Sequence, residues 1–541
     1  MFDAKSVFTP APWSQSLVFS SKPSSPIPIS KDASLDDVLE RIQRLTNGSD
    51  ANNRAVGTSS EIARRGSESF QRVTATQLAN PVAPSHESNS LTAEGGRDVP
   101  AVHSPPGEVN VKALLKETAV LDEPMMPLEP RSLQEAGLSE TIVEELSVRF
   151  LFNRGEATGR QVSDQIRLPF RLVEPILFKL KSQQLIAYAR ATTVNDYIYV
   201  MTDAGRDRAK RYLDKTTYFG SAPVPLSDYI TSVKMQSVEH QHPSREMLRK
   251  AFSDLLVSPA LLARLGPAIN SGRGMFLYGY PGNGKTSIAE RVTRTFGKYI
   301  WIPRCVLVEG DIIRIFDPMM HEEDEPDSSV GILDHSQIDR RWVRIRRPTI
   351  IAGGELTMEM LEVAHNAKTN VCDSPLQMKS NCGVLLIDDF GRQRMTVDEL
   401  LNRWIVPLEK RHDYLSLHSG KKIQVPFDQL VIFSTNLEPK NLVDDAFLRR
   451  IPYKIEVQNP TEDAFRKLFE IMCKVLKIPF SAEMVEYLIV KHYKPFARPY
   501  RNCHPRDLLL QVRSFCHYNS VPLELKFEYI DFAVENYFSI M

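Results

Sequence analysis

The sequence predicts an α/β fold built around a parallel sheet, with a helical region after it and a smaller domain before it. From residue 219 to 457, strand-like and helical segments alternate, a pattern that favours a parallel sheet. A glycine-rich loop at 279–286 separates a short apolar run from an amphipathic helix. After Val457 the patterns are helical, so residues 458–541 are expected to form a small all-helical lid.

Composition limits the class of protein. At 541 residues the chain exceeds one core, and roughly three to four domains are expected. The net charge is zero, so no overall field attracts nucleic acid or anionic lipid. No apolar stretch is long enough to span a bilayer and no secretory signal is visible, so we expect no membrane partner and a cytoplasmic location. The cysteines show no close pairs and no metal-ligand spacing, which predicts reduced thiols at Cys305, Cys372, Cys382, Cys473, Cys503 and Cys516.

The N-terminal segment differs from the rest. Residues 1–130 are rich in proline and serine, a composition that cannot bury enough apolar surface to offset chain entropy, so this tail is predicted to be disordered. Two short amphipathic helices, at 35–45 and 111–121, could interrupt it.

Residues 131–218 read as a small domain of helices ending in a hairpin. The apolar spacing predicts a helix over 139–153, then a turn at 155–159. The remaining segments are predicted to be helices at 160–166 and 169–184, strands at 185–190 and 197–201, and a last helix capped by Thr202 or Asp203.

This order of elements resembles the winged-helix family, and the ending Met-Thr-Asp-Ala-Gly-Arg at 201–206 adds to the likeness. The resemblance implies that helix 169–184 would enter a DNA groove. Its charge is only modestly basic, however, and winged helices also dock on proteins. A DNA partner and a protein partner both stay open.

The loop at 279–286 reads Gly-Tyr-Pro-Gly-Asn-Gly-Lys-Thr, a complete phosphate-binding loop. Its glycines let backbone N–H groups face the phosphates, at the N-terminus of the helix that follows. Lys285 reaches the outer phosphates and Thr286 offers a hydroxyl to Mg²⁺. The predicted ATP-binding residues are Gly279, Pro281, Gly282, Asn283, Gly284, Lys285, Thr286 and Ser287.

Polar side chains follow two further strand-like runs. The run at 383–387 ends in Asp388 and Asp389. Asp388 is placed to hold Mg²⁺ together with Thr286, and Asp389 to orient the attacking water. The next strand, 430–436, ends in Asn436, whose amide can donate to the γ-phosphate.

These residues resemble the AAA+ superfamily of ATPases, which combines a phosphate loop, an acidic strand end, a polar sensor, an arginine finger and a helical lid. The resemblance implies that Asn436 is the sensor and that Arg450, before the last core strand, is a finger acting on a neighbouring subunit. It implies that Arg506, at a helix start in the lid, also senses the nucleotide. It therefore implies a homo-oligomer that uses ATP and Mg²⁺.

The chain departs from the usual Asp-Glu pair of the superfamily, because Asp389 is one methylene shorter than Glu. Slow hydrolysis, or use as a nucleotide switch, stays open. Three functions are compatible with the sequence: an oligomeric ATPase that remodels or loads a protein or nucleic-acid partner, a nucleotide-gated DNA-binding regulator, and an ATP-binding scaffold with little turnover.

The segment 301–380, between the helix after the phosphate loop and the acidic strand end, is longer than a minimal nucleotide-binding core requires. Strands are expected at 312–316 and 342–346. The acidic stretch 321–325 lacks the second histidine of a zinc motif and is predicted to be a solvated loop. The basic run of Arg340, Arg341, Arg344, Arg346 and Arg347 is predicted to be an exposed face or a subunit contact rather than a grip on a phosphate backbone.

Overall fold

The structure is a computed structural model that describes residues 125–192, 195–324 and 338–539. The helices predicted at 35–45 and 111–121, and most of the predicted disordered tail, lie outside these residues. Residues 125–130 belong to the described part and pack onto it. There the Asp339 amide donates to the Pro127 carbonyl at 3.0 Å, and Leu128 forms a β-bridge with Ile338.

Residues 131–218 form helices around a three-stranded antiparallel sheet of order β1–β3–β2. The predicted turn at 155–159 is wrong in part, because Glu156–Thr158 pair with the last strand of this sheet. Three residues are too few to show an alternating pattern. Thr202, not Asp203, caps the last helix, since its hydroxyl accepts from the Gly205 amide at 3.0 Å. The elements are α1 (Glu140–Arg154), β1 (Glu156–Thr158), α2 (Gly159–Ile166), α3 (Phe170–Ser182), β2 (Ile186–Ala191), β3 (Tyr197–Met201) and α4 (Asp203–Lys215).

Residues 219–457 contain the parallel sheet and additional β structure. The first elements are β4 (Val224–Pro225), α5 (Leu226–Met235), α6 (Arg245–Ala251), α7 (Pro259–Asn270), β5 (Met275–Tyr278) and α8 (Lys285–Thr293). They are followed by β6 (Tyr299–Pro303), β7 (Cys305–Val308), β8 (Asp311–Arg314), β9 (Trp342–Arg346), β10 (Thr349–Ala352), β11 (Ala364–Asn366), β12 (Val371–Asp373) and α9 (Leu376–Lys379). The last are β13 (Val384–Ile387), α10 (Val397–Lys410), β14 (His412–Ser416), β15 (Lys422–Pro426), β16 (Leu430–Thr435), α11 (Asp445–Leu448) and β17 (Tyr453–Glu456).

The parallel sheet has the order β10–β13–β16–β5–β17, and each neighbouring pair is parallel. Alternate residues of its strands enter two cores. Met275 and Leu277 pack with α8, whereas Phe276 packs with Trp404 of α10. Because both faces are covered, the inner strand β13 is apolar and buried throughout, whereas the edge strand β17 contains Lys454 and Glu456. The carboxyl ends of the strands share one edge, which collects the loops after β5, β13 and β16.

The prediction that 219–457 forms only a parallel α/β sheet is incomplete. A second, mixed sheet has the order β11–β12–β8–β7–β4, and two antiparallel pairs, β6–β9 and β14–β15, accompany it. We call this part the β-rich insertion. It has its own core, which includes Ile313, Cys372 and Val425. Short strands with mixed neighbours carry little periodic signal, so the sequence did not separate this sheet from the parallel one.

Two expectations for this region are wrong at particular residues. His321, in the predicted solvated loop, is buried: its ring stacks on Phe316 and hydrogen-bonds the Lys379 carbonyl at 2.9 Å. Arg341 and Arg347, in the predicted exposed basic run, are also buried. Arg341 is satisfied by Asp339 and by two backbone carbonyls, and Arg347 by backbone carbonyls. Charge in a sequence does not reveal such partners.

The lid forms the helices that the apolar spacing predicts, except that the second of them continues into a π-helical turn at Leu488–Tyr493. No helix among the described residues is both long enough and apolar enough to cross a bilayer. The lid helices are α12 (Glu462–Leu476), α13 (Ala482–Tyr487), α14 (His504–Tyr518) and α15 (Phe527–Phe538).

Candidate nucleotide-binding site

The phosphate loop joins β5 to α8 at the carboxyl edge of the parallel sheet. Gly279 has φ 139°, and a Cβ there would lie 2.4 Å from the Val457 carbonyl oxygen. Gly282 has φ 83°, and its Cβ would lie 2.4 Å from the Cys503 sulfur. Both positions therefore require glycine, for conformation and for space.

The start of α8 supplies donors to this loop. Gly284 is its N-cap with φ 80°, so the N–H groups of Lys285, Thr286 and Ser287 belong to the first turn, where no intrahelical acceptor exists. Such amides, at the positive end of a helix, form an anion site. Pro281 is exposed on the loop. The loop therefore has the backbone arrangement that a phosphate group requires.

The Lys285 ammonium lies inside the loop and is 8 % exposed. It donates to the Gly279 carbonyl at 2.9 Å and to the Asn436 side-chain oxygen at 2.7 Å. Burial lowers the pKa of Lys285, while Asp388 and Asp389 act in the opposite direction. A cation held among carbonyl and amide oxygens next to two acids is suited to a phosphate.

Thr286 and Asp388 meet directly. The Thr286 hydroxyl donates to Asp388 Oδ2 at 2.7 Å. Asp388 follows β13, and its own amide donates to the Ala352 carbonyl at 2.8 Å, which fixes the strand end. A hydroxyl and a carboxylate in contact are oxygen ligands of the type that Mg²⁺ prefers. These two residues fit the metal role that the sequence predicts for them.

Asp389 is exposed and adopts the left-handed region, with φ 47°. Its conformation is held by Gln393, whose amide donates to the carbonyls of Asp388 at 2.9 Å and Asp389 at 3.1 Å. Asn436 Nδ2 lies 3.4 Å from Asp389 Oδ1. A non-glycine residue in this region is uncommon, and such residues cluster at functional sites. Sequence reasoning did not assign Gln393 this role.

The lid contacts the phosphate loop through residues just before α14. The Cys503 amide donates to the Gly282 carbonyl at 2.9 Å. Asn502 Nδ2 donates to the Asn283 carbonyl at 3.1 Å, and Asn283 Nδ2 donates to Asn459 Oδ1 at 2.8 Å. Asn283 belongs to the phosphate-loop motif and was predicted as a site residue, whereas Asn502 was not. Asn459 and Asn502 belong to no recognised motif and lie far from the loop in sequence, so no pattern in the sequence indicates their contact with it.

Two lid arginines lie near this contact. Arg501 packs against Gly282, and within the described part of the chain its Nε atom is buried without a hydrogen-bond partner. Arg506, the residue that the superfamily resemblance singles out, is 49 % exposed and pairs with Asp507 at 2.9 Å. Arg501 was not predicted from the sequence, although its Cδ lies 3.9 Å from the position that a Cβ at Gly282 would take.

Arg450 lies at the opposite end of the sheet. Strand β17 runs parallel to β5, with Tyr453 opposite Met275 and Glu456 opposite Tyr278. The phosphate loop follows Tyr278, whereas Arg450 precedes Tyr453, so about 13 Å of strand separates the two ends. The structure therefore does not bring Arg450 to the other predicted site residues of its own chain.

The surroundings of the two adjacent arginines differ. Arg450 is 14 % exposed, and its Nε donates to Glu409 at 2.9 Å. Its guanidinium also lies 5.8 Å from the centre of the Phe447 ring. Arg449 is exposed. Glu409 thus holds Arg450 in a defined direction at the chain surface.

Comparisons with known proteins describe parts of the chain. Residues 461–536, which are the lid helices, match a family model described as "Domain of unknown function (DUF8689)". A vesicle-fusing ATPase from Dictyostelium discoideum is 46 % identical over 48 residues, which are 9 % of this chain and 6 % of that protein. The chain thus matches less than a tenth of the length of this curated relative.

Solved structures give a weak likeness over about half of the chain. The Thermotoga maritima RuvB Holliday junction branch migration motor has a TM-score of 0.30 and 14 % identity, over 54 % of this chain and 73 % of that one. NtrX from Brucella abortus has a TM-score of 0.32 and 12 % identity, over 50 % and 54 %. At these scores neither structure defines the fold or places a residue.

Proposed function

We propose that this chain is an AAA+ ATPase that binds ATP with Mg²⁺, hydrolyses it in a homo-oligomer, and uses the turnover to remodel or load a partner. One observation carries the proposal. Lys285, Thr286, Asp388 and Asn436, from three separate loops, are joined by hydrogen bonds of 2.7 Å at one edge of a parallel sheet.

Each side chain has a chemical task in this proposal. Lys285 and the first amides of α8 hold the outer phosphates and stabilise charge on them as the bond breaks. Asn436 and Asp389 lie together where a water molecule would be oriented for attack. Mg²⁺, when bound, would neutralise phosphate charge between Thr286 and Asp388. Because Asp389 is exposed and short, we expect slow turnover by single subunits.

The position of Arg450 supports an oligomer. It is too far from the phosphate loop of its own chain to reach the γ-phosphate, as the register of β17 with β5 requires. Its Nε donates to Glu409 at 2.9 Å, and the register places it at the amino ends of the parallel strands, opposite the phosphate loop. An arginine so placed would complete the site of a neighbouring subunit, where such a residue accelerates phosphoryl transfer.

For residues 131–218 we propose a winged helix that docks on a protein rather than on duplex DNA. The helices and the antiparallel sheet of this region support the winged-helix assignment. Several basic side chains of α3 and of the wing have acidic partners: Arg171 pairs with Glu129 at 2.7 Å, Lys179 with Glu140 at 2.6 Å, and Arg190 in the wing with Glu156 at 3.3 Å. In addition, Phe178 on α3 is 61 % exposed. Paired charges beside an exposed aromatic ring favour a protein contact.

ATP turnover and mass test the proposed ATPase together. ATP hydrolysis per subunit is expected to rise with protein concentration, and light scattering is expected to show a larger particle with ATP. Lys285→Ala should abolish hydrolysis. Lys298→Ala, which changes an exposed lysine outside the loop, should retain it. If Lys285→Ala left both turnover and assembly unchanged, the proposal would be wrong.

The partner proposal has a separate test. Binding of duplex DNA is measured by fluorescence anisotropy at low and high salt, with the full chain and with Phe178→Asp. We expect no salt-dependent, saturable binding to DNA. Tight duplex binding that weakens steeply with salt, and that Arg171→Ala reduces, would favour the DNA-binding regulator instead.

A further inference from the structure

A cluster of metal-ligand side chains lies in the β-rich insertion, away from the phosphate loop. It consists of His365 on β11, Cys372 on β12 and His418 in the turn between β14 and β15. One ligand atom from each lies within 4.8 Å of the other two. His365 is directly opposite Cys372 in the strand pair, and its ring stacks on that of His418, with 4.4 Å between ring centres.

The spacing is close to what one metal ion requires. Zinc binds nitrogen at about 2.0 Å and sulfur at about 2.3 Å, so two ligand atoms on a tetrahedral ion lie roughly 3.3 to 3.8 Å apart. The three ligand atoms, which lie within 4.8 Å of one another, would move closer on binding, and His418, 38 % exposed on a turn, is the side chain with room to move. Cys372 is buried in the core of the insertion and is fixed.

Each histidine ring is oriented by a hydrogen bond to a neighbouring polar side chain. His418 Nδ1 lies 3.3 Å from Asp311 Oδ2, and His365 Nε2 lies 2.6 Å from the side-chain oxygen of Asn370. In each ring one nitrogen is thus used as a donor, which leaves the other as a ligand. A carboxylate behind a histidine is the arrangement that orients metal-bound imidazoles. Burial raises the pKa of the Cys372 thiol to about 11, and the charges of Asp311 and Asp373 act in the same direction.

We propose that His365, Cys372 and His418 bind a Zn²⁺ ion, with Asp311 as a positioning residue. One thiolate and two imidazoles select zinc over Mg²⁺, which takes oxygen ligands at the phosphate loop. Three protein ligands leave the fourth position of a tetrahedral ion open. The proposal does not depend on ATP binding, so its failure and that of the ATPase proposal are distinguishable.

A metal ion here would link separate parts of the insertion. It would fasten the β14–β15 turn to the β11–β12 pair. The turn of that pair contacts the end of α4: the Thr217 amide donates to the Thr369 carbonyl at 2.9 Å, and the Asn370 side chain donates to the Lys215 carbonyl. Since Asn370 also holds His365, metal binding is expected to stabilise this contact with residues 131–218.

Cobalt(II) is the probe for the site, because it replaces zinc and reports on thiolate ligands. The full chain, freed of metal with a chelator and kept reduced in the presence of Mg²⁺, is titrated with Co²⁺ and then Zn²⁺. We expect one equivalent of Co²⁺ to give a thiolate-to-cobalt charge-transfer band, which one equivalent of Zn²⁺ removes. Zn²⁺ should also raise the melting temperature of the metal-free chain.

Variants separate a metal site from a packing role. Cys372→Ser is expected to lose the band, whereas Cys382→Ser, which changes another buried thiol of the same core, is expected to keep it. His418→Gln alters an exposed turn, so the variant should fold normally. Its affinity for Co²⁺ should nevertheless fall by at least about tenfold. Asp311→Asn should weaken binding by about 10- to 100-fold. Absence of the band, or a band that persists in Cys372→Ser, would overturn the proposal.

Discussion

The parallel sheet and the β-rich insertion gather polar side chains in different ways. In the parallel sheet, strands end at one edge, so each motif that follows a strand arrives at the same place: Lys285 reaches Asn436, and Thr286 reaches Asp388. In the insertion, strands of mixed direction bring together His365, Cys372 and His418, which belong to no motif. A site built at parallel strand ends is readable from sequence, and a site built across a mixed sheet is not.

The first prediction tests whether Lys285 acts in ATP hydrolysis or only stabilises the fold. Lys285→Ala is expected to lower kcat/KM for ATP by more than about 10³-fold, because it removes a donor that acts on both ground state and transition state. The melting temperature should change little in either direction. Steady-state ATPase assays and thermal denaturation measure the two effects. A large loss of stability with retained turnover would contradict the assigned role.

The second prediction concerns the far end of the same sheet. Arg450→Ala is expected to lower kcat by about 10³-fold while leaving ATP affinity near that of the parent chain. Glu409, its partner, is 45 % exposed and remains solvated, so the fold should tolerate the change. Turnover and nucleotide binding are measured side by side. If Arg449→Ala had the larger effect, the neighbouring arginine would be the finger.

The third prediction concerns the insertion. Arg403 binds Asp413 through both carboxylate oxygens, at 2.6 and 3.0 Å, and the Asp413 side chain is 1 % exposed. Asp413→Asn is expected to lower the free energy of unfolding by about 2 kcal/mol, because Arg403 loses its buried charged partner and keeps only Glu362, at 2.8 Å. Lys421→Gln breaks an exposed pair with Glu309 and should change it by less than about 0.5 kcal/mol. Chemical denaturation provides both values.

The same variant shows whether the stability of the insertion affects ATP binding. Below the melting transition, Asp413→Asn should bind ATP like the parent chain, because Asp413 makes no contact with the phosphate loop. A strong loss of ATP affinity in the folded variant would show that the insertion and the nucleotide site are coupled.

The fourth and smallest effect is expected where the lid meets the loop. Asn502→Ala removes the side-chain hydrogen bond to the Asn283 carbonyl, which corresponds to about 1 kcal/mol, or roughly fivefold in ATP affinity. Asn519→Ala, an exposed asparagine at the end of α14, is the matched control and should bind ATP normally. Isothermal titration calorimetry measures the difference. Equal affinities for both variants would exclude a role of this lid contact.

Much of the fold followed from local patterns. The helices of the lid and the strands around the phosphate loop have strong periodicity, and their positions agree with the structure within a few residues. The phosphate loop could be proposed from the sequence because its motif is contiguous, and Asp388 and Asn436 because each follows a strand-like apolar run. Glu156–Thr158 was missed because a strand this short has no measurable alternation.

The remaining differences have one physical cause. Arg341 and Arg347 read as surface residues, yet buried carboxylate and carbonyl groups satisfy them. Asn502 and Gln393 support the site from other segments, and their partners exist only after folding. Side chains whose role depends on long-range partners are not visible in a single sequence.

The central claim is that a nucleotide site is completed by a neighbouring chain. Mixing Arg450→Ala with Lys285→Ala tests it most directly, because one variant keeps an intact phosphate loop and the other keeps the arginine. Each variant alone should be inactive, and the mixture should recover a clear fraction of the parent ATPase activity. An inactive mixture whose subunits assemble together, as judged by light scattering and co-purification, would contradict the account.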